Sequence, residues 1–314
     1  MARRVLSLAR VNSMKDGTIP EELRKHEIAQ CVTIVKGGGD LPKISVKTGW
    51  STAEVYLLGA HVTGFQKNGE PPLLFMSQSS QFAVGKAIRG GVPIVFPWFG
   101  AREGFPNHGF ARVTEWGWEG SSAAPDGSVT LRFRLPDSAA RAADAPSENV
   151  TFAVTISDKL TMELTVANPS RTENLSFENC LHTYFAIGDI AEAEITGLKG
   201  TAYIDKVDNF RRKLESSDAI RINSETDRVY LDTTGAVDIY DSRHHRKIRV
   251  EKSGSVSTVV WNPWVAKAKQ MPDFGDDEFK QMVCVESGNV AQNKITLAPN
   301  QSASLKVILS SHPI

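Results

Sequence analysis

The sequence predicts an all-β fold, a single-domain β-sandwich with few short helices. Apolar and polar residues alternate in many short runs, which is the pattern of half-buried strands. These runs recur roughly every 8–12 residues and stop at turn-forming residues, as is typical of sandwiches. The content of 24 Gly and 15 Pro in 314 residues also fits a turn-rich globular protein.

Six runs carry the strand prediction, and two segments have short helical patterns. The strand runs are residues 49–57, 128–135, 150–156, 160–166, 247–250 and 304–309. The third and fourth runs flank a Ser157-Asp158 turn and therefore predict a β-hairpin. The helical segments are residues 20–30, where Pro20 precedes two glutamates, and residues 276–281. We interpret residues 121–149, rich in Ala, Ser and Pro, as long loops with one strand inside.

Charge and cysteine content narrow the function classes. Lys and Arg together number 36, as do Asp and Glu, so the formal net charge is zero. Because proteins that bind nucleic acids or membrane surfaces are usually basic, we expect neither partner. No run approaches the roughly 18 apolar residues of a membrane-spanning helix. Cys31, Cys180 and Cys284 are far apart, which argues against a disulfide framework or a zinc site and favours a reducing compartment.

The N-terminus is basic, with three arginines around the apolar run at residues 5–9. That run is shorter than the apolar core of about 7–15 residues in a secretory signal. We therefore expect a cytoplasmic protein. An organelle transit segment is the alternative, and Asp16 and Glu21 count against it because transit segments are poor in acidic residues. We divide the chain into an N-terminal arm of unknown role, residues 1–44, and one β-sandwich domain, residues 45–314.

Two segments near residue 100 contain cations among glycines and aromatic residues. In residues 87–100, Arg89 precedes two glycines, and two prolines exclude a central strand. Arg89 either pairs with an acid in a buried loop or binds a ligand. In residues 106–112, Arg112 could join Arg89 as a bidentate fork for a phosphate group. Asn107 could bind a sugar hydroxyl, and His108 either does the same or is a core histidine bonded to the backbone.

Two strand-like segments carry the candidate acid and base. In residues 175–185, His182 alternates with Cys180 and Tyr184 on one face, where an imidazole could donate a proton. The alternative is a satisfied core histidine. In residues 282–290, Glu286 ends an apolar run, and burial there would raise its pKa toward the value a base needs at neutral pH. The alternative is a glutamate paired with a structural cation.

Common nucleotide and metal motifs are absent from the sequence. It contains no P-loop, no GxGxxG after a strand and no HExxH. The basic run at residues 243–247 lies just before a predicted strand, and we interpret it as a solvated hairpin tip in preference to a metal or phosphate site.

Taken together, these segments resemble the glucose-6-phosphate 1-epimerase (hexose-6-phosphate mutarotase) family, which is related to aldose 1-epimerase. The resemblance extends over roughly residues 45–310. Its motifs are Arg89-Gly90-Gly91-Val92-Pro93, Phe96-Pro97, Phe99-Gly100, His108-Gly109-Phe110-Ala111-Arg112, Leu181-His182-Thr183-Tyr184-Phe185, Glu225-Thr226-Asp227 and Val285-Glu286 before Ser287-Gly288. It implies a galactose-mutarotase-like β-supersandwich.

The resemblance also implies roles for single residues. His182 matches the family's general acid and Glu286 its general base. Arg89 and Arg112 match substrate-binding arginines, and Asp227 matches the acid that binds sugar hydroxyls. Two positions differ from the pattern: Asn107 stands where relatives often have Gln, and Ser287 stands where many have Pro.

The expected activity is interconversion of the α and β anomers of a hexose 6-phosphate, with glucose 6-phosphate as the first expected substrate. We expect no metal or organic cofactor, because the reaction moves only protons, and a small-molecule hexose phosphate is the expected partner. The oligomeric state is open, with a monomer compatible. Three alternatives are a mutarotase of non-phosphorylated aldoses, a non-catalytic carbohydrate-binding protein on the same fold, and a glycoside hydrolase or lyase. The last typically needs two carboxylates, and the sequence offers one clear candidate.

Overall fold

The computed structural model describes residues 18–137 and 149–314. These residues form mostly short strands, so the all-β prediction is confirmed. The strands are β1 (Val32–Lys36), β2 (Pro42–Lys47), β3 (Ser51–Tyr56), β4 (His61–Lys67), β5 (Ile94–Val95), β6 (Gly117–Ala123), β7 (Val129–Arg134), β8 (Asn149–Ile156), β9 (Leu160–Ala167), β10 (Leu175–Phe177), β11 (Asn179–Leu181), β12 (Tyr184–Ala186), β13 (Ala193–Thr196), β14 (Ala202–Asp205), β15 (Arg211–Leu214), β16 (Ala219–Ile220), β17 (Thr226–Leu231), β18 (Val237–Asp241), β19 (Arg246–Ser253), β20 (Ser257–Asn262), β21 (Met282–Asn289), β22 (Ile295–Leu297) and β23 (Ser302–Pro313).

Helices in the described residues are few and short. The α-helices are α1 (Glu21–Arg24) and α2 (Trp264–Ala268). Single 3-10 turns occupy Gly38–Asp40, Ala111–Val113, Ile190–Glu192, Ser242–His244, Glu278–Gln281 and Ala291–Asn293. No helix in this part of the chain is long and apolar enough to cross a membrane.

Two large sheets dominate the architecture. The nine-stranded sheet has the order β16-β13-β18-β19-β23-β9-β8-β7-β6. The eight-stranded sheet has the order β15-β14-β17-β20-β21-β11-β5, and β12 also pairs with β21. A four-stranded sheet, β1-β2-β3-β4, and a two-stranded sheet, β10-β22, complete the fold. All the strand pairs are antiparallel, so each face of a sheet takes alternate residues.

One large apolar cluster joins these sheets. Alternate residues of β7, β8 and β9 are fully buried in it, including Leu131, Phe152 and Leu164. Val283 and Val285 of β21 enter the same cluster from the eight-stranded sheet. Because Cβ atoms alternate along a strand, this packing directs the neighbouring residues of β21 away from the cluster.

The predicted strands and hairpin are confirmed. β8 and β9 pair in register, with Ile156 opposite Leu160 next to the turn. Strands also occupy the other predicted runs, as β3, β7, β19 and β23. The loop-rich stretch at residues 121–149 contains the expected strand, which is β7. Residues 138–148 of this stretch lie outside the described part.

The predicted helix over residues 20–30 is wrong beyond its first turn. It ends at Arg24, because the following residues are used by sheet contacts. The Ile28 N–H donates to the Val32 carbonyl at 3.0 Å, and the Glu27 carboxylate accepts from the Ile34 N–H at 2.9 Å. The helix predicted at 276–281 is a single 3-10 turn, since strand β21 begins directly after it.

The segment predicted as an N-terminal arm contributes to a sheet. Within residues 18–44, β1 pairs with β2 from Val32 onward. Residues 1–17, where a transit segment was weighed, lie outside the described residues. The division at residue 45 stays a prediction.

Candidate active site

Glu286 lies in the middle of β21, a strand that is buried along its whole length. Val283 and Val285 face the main core, so Cys284 and Glu286 face the opposite side of the sheet. β21 pairs with β20 on one side, where Val259 lies opposite Glu286, and with β11 and β12 on the other. The main chain is thus hydrogen-bonded on both sides and fixes the position of the carboxylate.

His182 lies between β11 and β12, across from β21. Its main-chain N–H donates to the Pro93 carbonyl at 3.0 Å, and its ring stacks on Tyr184 with centroids 4.8 Å apart. Its Nε2 is 3.2 Å from Glu286 Oε1, and both side chains are buried. The fold therefore brings the predicted acid and the predicted base to within 3.2 Å of each other.

The environment of Glu286 opposes ionisation. Burial raises the pKa of its carboxyl well above the usual range, and the Asp227 carboxylate adds to this rise. Lys206 and Arg112 act in the opposite direction with smaller effects. The shift has the direction that the sequence led us to expect, and it comes mainly from loss of solvent.

The environment of His182 also opposes its charged form. Burial lowers the pKa of the imidazole well below its usual value, and His108, Arg112 and Arg89 lower it further. The second ring nitrogen, Nδ1, is buried and has no hydrogen-bond partner within residues 18–137 and 149–314. In the free protein the pair therefore favours a neutral imidazole beside a neutral Glu286 carboxyl.

Arg89 is already neutralised by a carboxylate. Its guanidinium donates to both oxygens of Asp273 at 3.0–3.2 Å and to the Tyr184 hydroxyl at 3.0 Å. Burial alone would lower its pKa, but Tyr184 and Asp273 outweigh burial and raise it. The ion pair expected as one of the two possibilities for Arg89 is present, and it uses the Nε and Nη2 side of the guanidinium.

The two glycines after Arg89 are required by the backbone. Both have positive φ, at 113° for Gly90 and 58° for Gly91. A Cβ at Gly90 would lie 2.4 Å from the Phe75 carbonyl oxygen, and one at Gly91 would lie 2.3 Å from that of Val62. A side chain at either position would displace Arg89.

Arg112 is a buried cation without a carboxylate ion-pair partner in the described part of the chain. It lies in the 3-10 turn Ala111–Val113 and donates to the Asn107 carbonyl at 2.7 Å. Its Nε is buried with no hydrogen-bond partner among these residues. Burial lowers its pKa to about 10, and the charge of Arg89 contributes. A buried guanidinium of this kind is unfavourable unless an anion compensates its charge, and the predicted role of Arg112 in substrate binding stays a prediction.

His108 is held in an unusual backbone conformation, with φ of 63°. Its Nδ1 accepts from the Gly100 N–H at 3.2 Å, so the neutral ring carries its proton on Nε2. The ring meets that of His182 edge-on at 5.6 Å. Burial and nearby cations lower its pKa well below the usual value. Asn107 is exposed, and its main-chain carbonyl accepts a hydrogen bond from Arg112.

Asp227 of β17 forms an ion pair that the sequence did not predict. Its Oδ2 is 2.8 Å from Lys206 Nζ, and the Lys206 N–H also donates to its carbonyl at 2.9 Å. The ammonium lies 5.3 Å from the centroid of the Phe99 ring. Lys206 and Asp273 belong to no motif and follow short elements, so no signal in the sequence could have identified them.

One group of side chains in the described part could hold a metal ion. His182, Cys284 and Glu286 each offer one ligand atom, and these atoms lie within 4.8 Å of one another. All three residues are buried. The donors are nitrogen, sulfur and oxygen, which is a set that Zn²⁺ accepts.

Comparison with known proteins adds to this geometry. The family model described as aldose 1-epimerase matches residues 42–310. A protein named "Putative glucose-6-phosphate 1-epimerase" from Cenchrus ciliaris is 34% identical over 270 residues, covering 83% of this chain and 82% of the relative. One of the same name from Escherichia coli K12 is 35% identical over 244 residues, covering 77% and 81%.

Solved structures match as well. A crystal structure described as a "putative mutarotase" from Salmonella typhimurium has a TM-score of 0.85 and 29% identity, covering 92% of this chain and 96% of that one. A galactose mutarotase-like protein from Clostridium acetobutylicum has a TM-score of 0.68 and 15% identity, covering 90% and 98%. The expectation of a galactose-mutarotase-like β-sandwich is thus confirmed.

Proposed function

This chain belongs to the aldose 1-epimerase family, and from that premise we propose that it interconverts the α and β anomers of a hexose 6-phosphate, with glucose 6-phosphate as the first candidate. It is therefore an isomerase. The observation that carries the proposal is the 3.2 Å contact between His182 Nε2 and Glu286 Oε1. Relatives that bear a glucose-6-phosphate epimerase name support the choice of substrate.

Glu286 and His182 act as a base and an acid on the two oxygens bound to the anomeric carbon. Glu286 takes the proton of the O1 hydroxyl, and His182 gives a proton to the ring oxygen O5. The C1–O5 bond breaks, its electron pair stays on O5, and C1 becomes an aldehyde. Rotation about C1–C2 presents the other face, and the same steps in reverse close the ring. Each proton transfer by a positioned group contributes typically 10²–10⁴-fold.

The number of protons on the His182–Glu286 pair supports this order of reaction steps. In the free protein the burial of both groups favours a neutral carboxyl and a neutral imidazole. Transfer of that one proton from Glu286 to His182 gives the carboxylate and imidazolium that the mechanism needs, with no proton taken from solvent. The two forms differ only in the position of one proton across the 3.2 Å contact, so we expect the pair to titrate as a unit.

Arg112 provides most of the attraction for the phosphate group. Its buried charge has no carboxylate partner in the described residues, whereas Arg89 is compensated by Asp273. A phosphate oxygen near Arg112 would satisfy the free Nε–H and restore charge balance. Arg89 also contributes to the phosphate site, but it can bind the phosphate only when its ion pair with Asp273 opens. The predicted symmetric fork is replaced in this proposal by an unequal pair.

Three further residues are proposed to bind sugar hydroxyls. Asp227 accepts hydrogen bonds, and Lys206 holds it in place. His108 presents Nε2–H, because its Nδ1 is used by Gly100. Asn107 remains a candidate for the same role at the exposed rim of the site. No step of the reaction needs a metal or an organic cofactor.

A second candidate is a mutarotase of non-phosphorylated aldoses. It is favoured by the Arg89–Asp273 pair, which removes one positive charge from the site. The two candidates differ in substrate only. We also propose a cytoplasmic location, because the three cysteines are free thiols, which suits a reducing compartment.

The test is exchange NMR between the anomers of glucose 6-phosphate, with and without enzyme, and with glucose in parallel. Glu286→Gln keeps the shape of the side chain and removes the base, so we expect its exchange rate to fall by at least about 10²-fold. Glu215→Gln is the matched control, because Glu215 is also a buried glutamate but bonds to Tyr230 and Arg228 outside the site. Wild-type exchange in Glu286→Gln would refute the mechanism. Equal catalysis of both sugars would favour the second candidate.

A further inference from the structure

The catalytic pair lies beside a buried thiol. Cys284 is two residues before Glu286 on the same face of β21, and its side chain is fully buried. The ligand atoms of His182, Cys284 and Glu286 lie within 4.8 Å of one another. The proposed reaction uses the carboxylate and the imidazole, and it gives the thiol no role.

We propose that His182, Cys284 and Glu286 form a binding site for a thiophilic divalent cation such as Zn²⁺, and that this cation and the sugar exclude each other. In a tetrahedral zinc site, ligand bonds of about 2.0–2.3 Å place neighbouring ligand atoms about 3.3–3.8 Å apart. The His182–Glu286 distance of 3.2 Å is already close to this, and the thiol needs a movement of at most about 1–1.5 Å.

The backbone fixes the three ligands in advance. Cys284 and Glu286 belong to a central strand that is paired on both sides, and His182 is anchored by its N–H bond to Pro93. The sulfur of Cys180 lies 3.5 Å from Glu286 Oε2, the oxygen that the site does not need. This contact orients the carboxylate in the way that outer hydrogen bonds orient metal ligands.

The site is suited to exchangeable binding. The His182 Nδ1 has no partner in the described part of the chain, whereas the histidines of most metal sites donate that hydrogen bond. With three protein ligands, the fourth position is left to water, as in sites that are not purely structural. Binding releases the thiol proton of Cys284 and the carboxyl proton of Glu286 to solvent, and it involves no change of oxidation state.

Mutual exclusion follows from the atoms used. Glu286 Oε1 and His182 Nε2 are the atoms proposed to move protons to and from the sugar, and a bound cation would occupy both lone pairs. We therefore expect Zn²⁺ to inhibit anomer exchange and a chelator to restore it in full.

Co²⁺ is the probe for the test, because it shares zinc's ligand preference and absorbs light. Chelator-treated full-length wild type is expected to give a thiolate-to-cobalt charge-transfer band in the near ultraviolet, with tetrahedral visible bands that Zn²⁺ removes. Cys284→Ser and Cys284→Ala should lose the charge-transfer band. Cys31→Ser is the matched control, because Cys31 lies outside the site, and it should keep the band.

Several results would overturn this site. Absence of the band in wild type would do so without reference to any variant. A band that survives in both Cys284 variants, or that is lost in Cys31→Ser, would place the thiolate elsewhere. A band that is lost in Cys180→Ser and kept in Cys284→Ala would show that Cys180, and not Cys284, is the ligand. Thermal unfolding checks that each variant is folded. None of these outcomes bears on the mutarotase proposal, which is measured without metal.

Discussion

Replacing Arg112 with methionine separates two effects of its buried charge, the cost to protein stability and the proposed contribution to phosphate binding. The side chain is 7% exposed, makes one hydrogen bond to a carbonyl and leaves its Nε without a partner in the described residues. Methionine is also unbranched and flexible, fills much of the space and carries no charge. The same substitution at Arg246 is the matched control, because Arg246 is equally buried at 3% exposure but fully compensated.

The expected change in stability follows from the pKa. A fall from 12.5 to about 10 for Arg112, at about 1.4 kcal/mol per unit, corresponds to roughly 3.5 kcal/mol against the charged form. Arg112→Met removes that penalty, so we expect stability to be kept or raised. Arg246 donates to buried Asp241 and to the carbonyls of Pro71 and Pro72 at 3.0–3.1 Å. Arg246→Met leaves the Asp241 charge unpaired and should lower stability by about 3–5 kcal/mol.

For activity we expect the opposite ranking of the two variants, with the larger loss in Arg112→Met. Loss of a hydrogen bond to a charged phosphate is worth about 1.5–3 kcal/mol, so kcat/KM for glucose 6-phosphate should fall about 10- to 150-fold in Arg112→Met. With free glucose the change should be small. Arg246→Met, assayed at a temperature where it is folded, should keep the wild-type ratio of the two substrates.

The assay pairs thermal unfolding with anomer-exchange kinetics on both sugars. The reasoning is refuted if Arg112→Met is destabilised as strongly as Arg246→Met, because the charge would then be compensated in the protein. It is also refuted if activity on the phosphorylated and the free sugar falls by the same factor, because the guanidinium would then not bind the phosphate.

Three further predictions follow from the same contacts. In the proposed mechanism the form of the His182–Glu286 pair that carries one proton is the active form. A plot of kcat against pH should therefore show a plateau, which ends on the acid side at the lowered imidazole pKa and on the alkaline side at the raised carboxyl pKa. A pH–rate profile with one titration only, near pH 6.5, would contradict this. Asp273→Asn frees Arg89 and should lower KM for glucose 6-phosphate about three- to tenfold but leave KM for glucose unchanged; steady-state kinetics showing a raised KM for the phosphate would instead mean that Asp273 only holds Arg89 in place. Burial lowers the pKa of His61 to about 4, so its neutral form stabilises the fold above pH 6.5 and that contribution is lost as pH falls from 6.5 toward 4; His61→Gln should flatten this part of the curve of melting temperature against pH, and an unchanged slope would exclude His61 as the cause.

The strands were predictable where burial alternates strictly. In β8 and β9 every second residue is buried, so the sequence alone predicted both the hairpin and its turn. Residues 20–30 failed because helix signals at Pro20 and Glu21 are local, whereas the Glu27 bond to Ile34 depends on a strand further along the chain. Local propensity yields to such tertiary contacts.

The basic run at residues 243–247 shows the same limit. The predicted solvated hairpin tip is wrong for Arg246, which is buried. Arg246 is the first residue of β19, and strand alternation turns it inward onto buried Asp241. Arg243, by contrast, is exposed and pairs with Asp189. A run of like residues thus divides between surface and interior according to strand phase.

In the candidate site, the sequence identified those residues that stand in an unusual sequence context. Glu286 stood out because a carboxylate inside an apolar strand is rare, and His182 because it alternates with aromatic neighbours. Their contact across β11, β12 and β21 depends on sheet order, which the residues alone do not specify. Asp273 and Lys206 were missed because their roles come only from the side chains that they face.

The central claim is that one imidazole and one carboxyl, 3.2 Å apart, move protons as a single unit. A double-mutant cycle tests it most directly, with anomer exchange of glucose 6-phosphate measured by NMR for Glu286→Gln, His182→Asn and the double variant. Groups that act together lose their effect together, so the double variant should be no slower than the slower single variant. If the two losses instead multiply, each group acts independently and the account is contradicted.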